Sequence, residues 1–241
     1  MVEAGDVRVL VDHGISTRRL SMRLDQLGVK PESIDAVIVT HEHTDHVAGL
    51  RVWRKRFGTP LFVNRPTSRA VGGIRRADGP VCFFTTGNRF DVGELSVYPF
   101  PVSHDALDPV GLVFEWKGRR IGMATDLGRA TELVRRRLEG ADVVVIESNH
   151  DPEMLLNGPY PWPVKERIRR NHGHMSNAQA AALLRRLAHP GLKAVLLAHL
   201  SRRNNLPELA LNSAREALGR GTSAEVLLGW QDRIAGPVKL D

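Results

Sequence analysis

The chain has 241 residues, 42% hydrophobic and 25% charged, the balance of an ordinary globular protein; collagen-like, mucin-like and disordered classes are excluded. One cysteine, Cys82, allows no internal disulfide, and no run of about 18 apolar residues could cross a membrane, so the expectation is a single cytoplasmic domain over residues 1–241. The net charge of +7 points to a polyanionic partner, although 28 of the 34 basic residues are arginine, a bias that base composition also produces.

In chain order, Val7–Asp12 alternates as a short strand closed by Gly14. Ser16 or Thr17 caps a helix bearing Leu20, Leu24 and Leu27, and Gly28 ends it. Ile34–Val39 is a buried strand, and Leu61–Val63 another. Between them, Asp45–Phe57 reads as one helix with Val47, Leu50, Trp53 and Phe57 on a stripe. From Val81 to Thr125 the pattern is strand-like, with a tight hairpin at Trp116–Arg119. Helices follow at Ala130–Leu138, Asn177–Leu187 and Pro207–Leu218. Strands follow at Val143–Ile146, Val195–Ala198 and Glu225–Leu228. Asn157–Pro163 reads as a rigid proline-rich connector. Strands in two halves, each followed by helices, suit an α/β class: two mixed sheets packed face to face with helices outside.

Ten histidines decide the chemistry. Thr40-His41-Glu42-His43-Thr44-Asp45-His46 leaves a buried strand and opens a helix. His41 and His43 alternate and project the same way from an extended exit. Asp45 and His46 sit where the chain turns, so they can face a second point. Four ligand-type side chains in six residues suit neither an apolar core nor an ordinary exposed turn.

The H-x-H-x-D-H segment resembles the signature of the metallo-β-lactamase superfamily. The resemblance implies its four-layer αββα sandwich of two mixed β-sheets flanked by helices. It also implies a third histidine, a bridging aspartate and a last histidine at strand ends. His104, Asp126 and His199 match these in order. Carried over residue by residue, one metal takes His41, His43 and His104. A second takes Asp45, His46 and His199, and Asp126 bridges. Two divalent ions are thus implied, zinc first, with manganese or iron left open by the carboxylate share. Such a pair lowers the pKa of a bridging water toward ~7 and gives a hydroxide that can attack phosphorus.

Gly173-His174-Met175-Ser176-Asn177 resembles the G-H-S-T segment of the tRNase Z branch, which makes His174 the general acid and Ser176 a helix cap at a phosphate-favouring N-terminus. Glu147-Ser148-Asn149-His150-Asp151, followed by Asn157-Gly158-Pro159-Tyr160-Pro161-Trp162, resembles the YycJ (WalJ) family over nearly the whole chain. That likeness implies a 5′→3′ exonuclease on DNA, with Asp45 and His174 catalytic. Glu147, Asn149 and His150 are expected to orient His174 or a metal ligand from behind. Relatives usually carry an extra first strand, and its loss would leave Val7–Val11 as an unpaired edge.

Basic residues cluster at Arg51-to-Arg56, Arg135–Arg137, Lys165–Arg170, Arg185–Arg186 and Arg202–Arg203. Solvated helix faces explain the helix-borne groups. Arg202 and Arg203, close behind His199, together with Ser176, are expected to hold substrate phosphate. RNA remains open beside DNA as the nucleic acid. Three other functions stay open as well: a small-molecule or cyclic phosphodiesterase, a thioester or lactam hydrolase, and a non-catalytic metal-dependent regulator.

Overall fold

The computed structural model describes residues 1–240, in two compact units: residues 1–101 with 106–110, and residues 102–105 with 111–240.

The first unit holds β1 (Val2–Ala4), β2 (Val7–Val11), α1 (Thr17–Gln26), β3 (Ala36–Ile38), α2 (Thr44–Val47), α3 (Leu50–Phe57), β4 (Leu61–Asn64), α4 (Arg65–Val71), β5 (Val81–Phe84), β6 (Phe90–Val92) and β7 (Leu95–Pro101). Strands β1 to β5 form a sheet in sequence order. β1 pairs antiparallel with β2, Val2 opposite Val9, and the remaining pairs are parallel. Parallel neighbours need a crossover, and α1, the α2–α3 segment and α4 supply them. β6 and β7 form an antiparallel ribbon. Under the sheet, Leu10, Val37, Val39, Leu61 and Val63 pack with Leu24, Leu50 and Trp53 in one apolar cluster. Trp53 is fully buried and donates its indole N–H to Thr59 Oγ1 at 2.9 Å.

Two expectations change here. β2 is not an unpaired edge, because β1 covers it. The Asp45–Phe57 helix is two: α2 stops at Val47 and α3 starts at Leu50. The break is at Ala48–Gly49, where the Gly49 N–H is drawn to the His13 carbonyl at 2.9 Å.

The second unit holds β8 (Val110–Trp116, whose first residue closes unit one), β9 (Arg119–Ala124), α5 (Glu132–Leu138), β10 (Val143–Glu147), α6 (Pro152–Asn157), α7 (Trp162–Arg169), α8 (Asn177–Leu187), β11 (Ala194–Ala198), α9 (Pro207–Leu218) and β12 (Glu225–Leu228). β8 and β9 make the expected hairpin through Lys117–Gly118, both at positive φ. β9, β10, β11 and β12 are parallel neighbours in that order. Thr131 caps α5, and Ser176 caps α8 in a capping box with Gln179. Helices α6 and α7 were not anticipated. Prolines at their first turns, Pro152 and Pro163, start them and leave only residues 158–161 as connector.

Candidate metal and catalytic site

In doubly parallel sheets, ligands collect at the carboxyl ends of strands. Each unit places a cluster there.

In the first unit, β2 runs into Asp12 and β3 into Thr40–His43. The Asp12 carboxylate accepts three hydrogen bonds: from the Thr40 amide at 2.8 Å, from the Thr40 hydroxyl at 2.8 Å and from His46 Nδ1 at 2.8 Å. Thr40 Oγ1 in turn lies 3.0 Å from His41 Nδ1. The Nδ1 sides of His41 and His46 are therefore engaged from behind, so Nε2 is the atom each could offer a metal. The ring centroid of His41 lies 4.7 Å from that of His43 and 4.0 Å from that of His46. His41 and His46 are buried, whereas the Asp45 side chain is 64% exposed, its carboxylate 3.7 Å from His46 Nε2. The loop fits tightly, since a Cβ on Gly14 would lie 1.4 Å from the Asp45 carbonyl oxygen. His13 is also buried, 5.2 Å from the Trp53 ring, and its ring nitrogens have no hydrogen-bond partner among the described residues. Burial lowers its pKa, so it packs as a neutral ring.

In the second unit, Asp126 follows β9 by two residues, Glu147 ends β10 and His199 directly follows β11. Asp12, Asp126 and His199 all have positive φ, at 58°, 56° and 58°. Strained backbone of this kind in non-glycine residues concentrates at functional sites. Glu147 is fully buried. Its Oε1 accepts from His174 Nδ1 and from His199 Nδ1, each at 2.8 Å. Its Oε2 accepts the amides of Leu127 and Met175, at 3.0 and 3.1 Å. Burial alone would raise the Glu147 carboxyl. The hydrogen bonds and charge of His174 and His199 outweigh it, and the group is held below the ordinary carboxylate range. Ligand atoms of Asp126, Glu147, His174 and His199 all lie within 4.8 Å of one another. His104 is buried beside them, with Nε2 3.9 Å from Asp126 Oδ1 and its ring centroid 5.3 Å from that of His174.

The three residues expected behind His174 or a metal ligand divide. Glu147 makes the contact. Asn149 instead donates Nδ2–H to the His199 carbonyl at 2.8 Å and so fixes the backbone of that turn. His150 bonds neither His174 nor His199; burial pushes its ring down to about 4, and its Nδ1 has no partner among the described residues. Ser176 is 6% exposed, its hydroxyl committed to the Gln179 amide, so it caps α8 and does not line the cleft.

That cleft has a volume of about 380 Å³ and opens beside His174 and His199. Tyr160, Ile168, Arg202, Arg203 and Gln231 are also in its lining. Arg202 and Arg203 are exposed, and no acidic side chain pairs with either among the described residues. The other basic groups are mostly spoken for. Arg135, Arg136 and Arg186 all pair with Glu132, and Arg167 pairs with Asp105. Arg54 is not a surface charge at all: it is 2% exposed, and its guanidinium donates to the carbonyls of Arg75, Gly79 and Pro80.

Sequence reasoning missed Asp12, Thr40 and a buried amide network. In that network Asn177 and Asn205 exchange hydrogen bonds, and Asn205 Nδ2 holds the carbonyls of Ser148 and Asn149. Asp12 carried a signal, a carboxylate leaving a buried strand just before a glycine. The amides carried none until their burial was visible.

Residues 7–200 match the family model described as a beta-lactamase superfamily domain. The chain is 34% identical over 221 residues to the exodeoxyribonuclease YycJ of Bacillus anthracis, covering 90% of this chain and 83% of that protein. The chain belongs to the YycJ/WalJ family of the beta-lactamase superfamily. The exodeoxyribonuclease WalJ of Streptococcus pneumoniae is also 34% identical, across 87% of this chain and 79% of its own. A ribonuclease Z of Bradyrhizobium diazoefficiens is 26% identical, across 89% and 87%. Among solved structures, the metallo-beta-lactamase fold protein YhfI of Bacillus subtilis superposes with a TM-score of 0.74 at 17% identity, covering 98% of this chain and 89% of that one. Zn(2+)-bound PqqB of Methylobacterium extorquens gives 0.72 at 20% identity, covering 98% and 86%. The fold agrees with the family, and the family makes the chain a metal-dependent hydrolase related to nucleases. Its own donor set fits divalent metal: imidazoles whose Nδ1 atoms are hydrogen-bonded to carboxylates from behind, clustered with further carboxylates. No helix among the described residues is long and apolar enough to cross a membrane.

Proposed function

We propose that this protein is a DNA exonuclease of the cytoplasm that digests 5′→3′. His41, His43, Asp45 and His46 of the first unit and His104, Asp126 and His199 of the second are its ligands for two divalent ions, zinc first. Bound ions supply Lewis-acid charge to phosphoryl oxygens and lower the pKa of water toward ~7.

The observation that carries the reading is the anchoring of His174 in the wall of a cleft that also bears Arg202 and Arg203. An ionised carboxylate can only accept, so Glu147 fixes the proton of His174 on Nδ1 and turns Nε2 toward the cleft. When protonated there, His174 gives that proton to the leaving 3′-oxygen. Asp45, exposed at its loop, aligns the attacking water. Arg202 and Arg203 bind phosphate bidentately, which suits a phosphodiester and is superfluous for a thioester or lactam. The names of the YycJ and WalJ relatives favour DNA. The ribonuclease Z relative keeps RNA as a second reading.

Metal analysis with a panel of end-labelled duplex DNA, single-stranded DNA and RNA tests this. Mononucleotides released stepwise from the 5′ end of DNA, with two equivalents of metal, are expected. Turnover confined to cyclic phosphodiesters or thioesters, or the same DNA rate in Asp45→Ala and wild type, would overturn it.

A further inference from the structure

We infer that the cleft between His174 and Arg203 is a seat for one terminal nucleotide, and that Arg202 and Arg203 read its 5′-phosphate. This rests on the 5′→3′ reading above and deepens it.

The argument starts from which nucleotide lies on the side of the acid. In hydrolysis that releases 5′-mononucleotides, water adds to phosphorus and the P–O3′ bond breaks. The proton of His174 Nε2 goes to O3′. The oxygen that leaves belongs to the terminal nucleotide, so that nucleotide lies against His174. Its surroundings are the cleft lining: Tyr160 and Ile168 as apolar surface, with Gln231, Arg202 and Arg203 as polar groups. A volume of about 380 Å³ lies at the small end of the ~300–1,000 Å³ range of ligand sites. That is of the size of one nucleotide, so the terminal residue can be seated singly at the cleft.

The two arginines sit on the turn Ser201–Asn204, which Ser201 Oγ stiffens by accepting the amides of Arg203 and Asn204 at 3.4 and 3.1 Å. The turn is a fixed platform whose guanidiniums have no acidic partner among the described residues, unlike those of Arg135, Arg136, Arg167 and Arg186. A terminal 5′-phosphate carries more charge than an internal diester and leaves oxygens free for forked guanidinium bonds. Each cycle also leaves a new 5′-phosphate on the shortened strand, so the product of one turnover is the preferred substrate of the next.

The kinetic consequence is specific. On the metal-loaded enzyme, duplex DNA starting with a 5′-hydroxyl should show a lag. Its first cleavage, releasing a nucleoside, should be about 10- to 100-fold slower than on 5′-phosphorylated DNA, and later cleavages should match it. Arg202→Ala/Arg203→Ala should bring the ratio of first-cleavage rates close to 1, whereas Arg18→Ala, on the exposed face of α1, should leave it as in wild type. Calorimetry with deoxyadenosine 5′-monophosphate gives an independent readout. It should bind more tightly than deoxyadenosine, and the double variant should lose that difference. Equal first-cleavage rates in wild type, or an unchanged ratio in the double variant, would overturn the inference. If no DNA is degraded at all, the exonuclease reading fails on its own. The calorimetric difference then decides the cleft: its presence supports a 5′-phosphate seat, and its absence removes it.

Discussion

Glu147 Oε1 accepts hydrogen bonds from both His174 Nδ1 and His199 Nδ1, each at 2.8 Å. A single buried oxygen thus sets the tautomer of a proposed metal-ligand histidine and of the proposed acid together. Their ring centroids are held 5.0 Å apart. Glu147→Gln keeps the size but cannot accept as strongly, and its amide N–H₂ opposes an imidazole N–H. Losing such an outer partner costs about 10- to 100-fold in affinity or activity. Two functions share this one, so the expected loss of turnover is at the upper end, with bound metal also reduced. The same metal content and rate in Glu147→Gln as in wild type would dismiss the arrangement.

Asp12 is the counterpart in the first unit. It joins the Thr40 amide and hydroxyl to His46 Nδ1. Asp12→Ala should lower metal affinity about 10- to 100-fold. Asp12→Asn should fall between it and wild type, because the side-chain oxygen can still accept one bond. Equilibrium dialysis of the metal against a chelator series measures both. Asp12 also sits at a φ of 58°, where Asn is tolerated better than Ala, so melting temperatures should follow the same order.

The sequence showed much of this because the informative patterns were local. Six residues, His41 to His46, carry four ligand-type side chains, and α9 and β12 begin and end where their apolar periodicity does. Contacts across long sequence separations were legible only in part. Glu147 was expected behind His174 or a metal ligand, but one oxygen serving both His174 and His199 was not, and the contact of Asp12 with His46 over 34 residues was not expected. Such pairs depend on which strand ends become neighbours. Arg54 failed for a different reason. A charge on a helix reads as surface unless something shows that carbonyls from a remote loop surround it. Helix α7 was hidden because its short, proline-started segment has no buried face to print a period.

Acid should act on the surface through Glu132. Hydrogen bonds from Arg135 and Arg186 hold its carboxyl down to about 2, against an ordinary 4.5. A depressed carboxylate stabilises the fold above the unfolded-state value and loses that effect as the pH falls through the folded one. Glu132→Gln should therefore melt slightly below wild type at neutral pH. The gap should stay constant down to about pH 4.5 and close toward pH 2. Because the group is solvent-exposed, high salt should narrow the gap at every pH. A gap that widens on acidification would contradict the sign.

Gly14 tests how the signature loop is seated. Its missing Cβ leaves space for the Asp45 carbonyl, 1.4 Å from where that carbon would be. Backbone cannot yield as a side-chain tip can, so Gly14→Ala must displace residues 45 and 46 or the loop after β2. Metal affinity should fall further than melting temperature suggests. A variant that binds metal as wild type does, with an unchanged melting temperature, would show that the loop tolerates displacement.

Arg54 separates structure from substrate binding. Its guanidinium is buried and ties α3 to the carbonyls of Arg75, Gly79 and Pro80, at 3.3, 2.7 and 3.2 Å. Burial lowers its pKa, the electrostatic mark of a desolvated charge. Arg54→Ala removes a set of charge-assisted bonds and takes the donor from the Gly79 carbonyl, while the carbonyls of Arg75 and Pro80 still accept from the Asp78 and Leu61 amides, at an expected cost of about 2 kcal/mol. Arg54→Lys should recover part of that, since one ammonium cannot span all three acceptors. Neither variant should change the slope of DNA affinity against salt, because Arg54 neutralises no phosphate. Arg202→Ala should do the reverse, reducing the slope by roughly one phosphate contact while leaving the melting temperature near that of wild type. A reduced salt slope in Arg54→Ala, with stability intact, would return Arg54 to the DNA-binding surface.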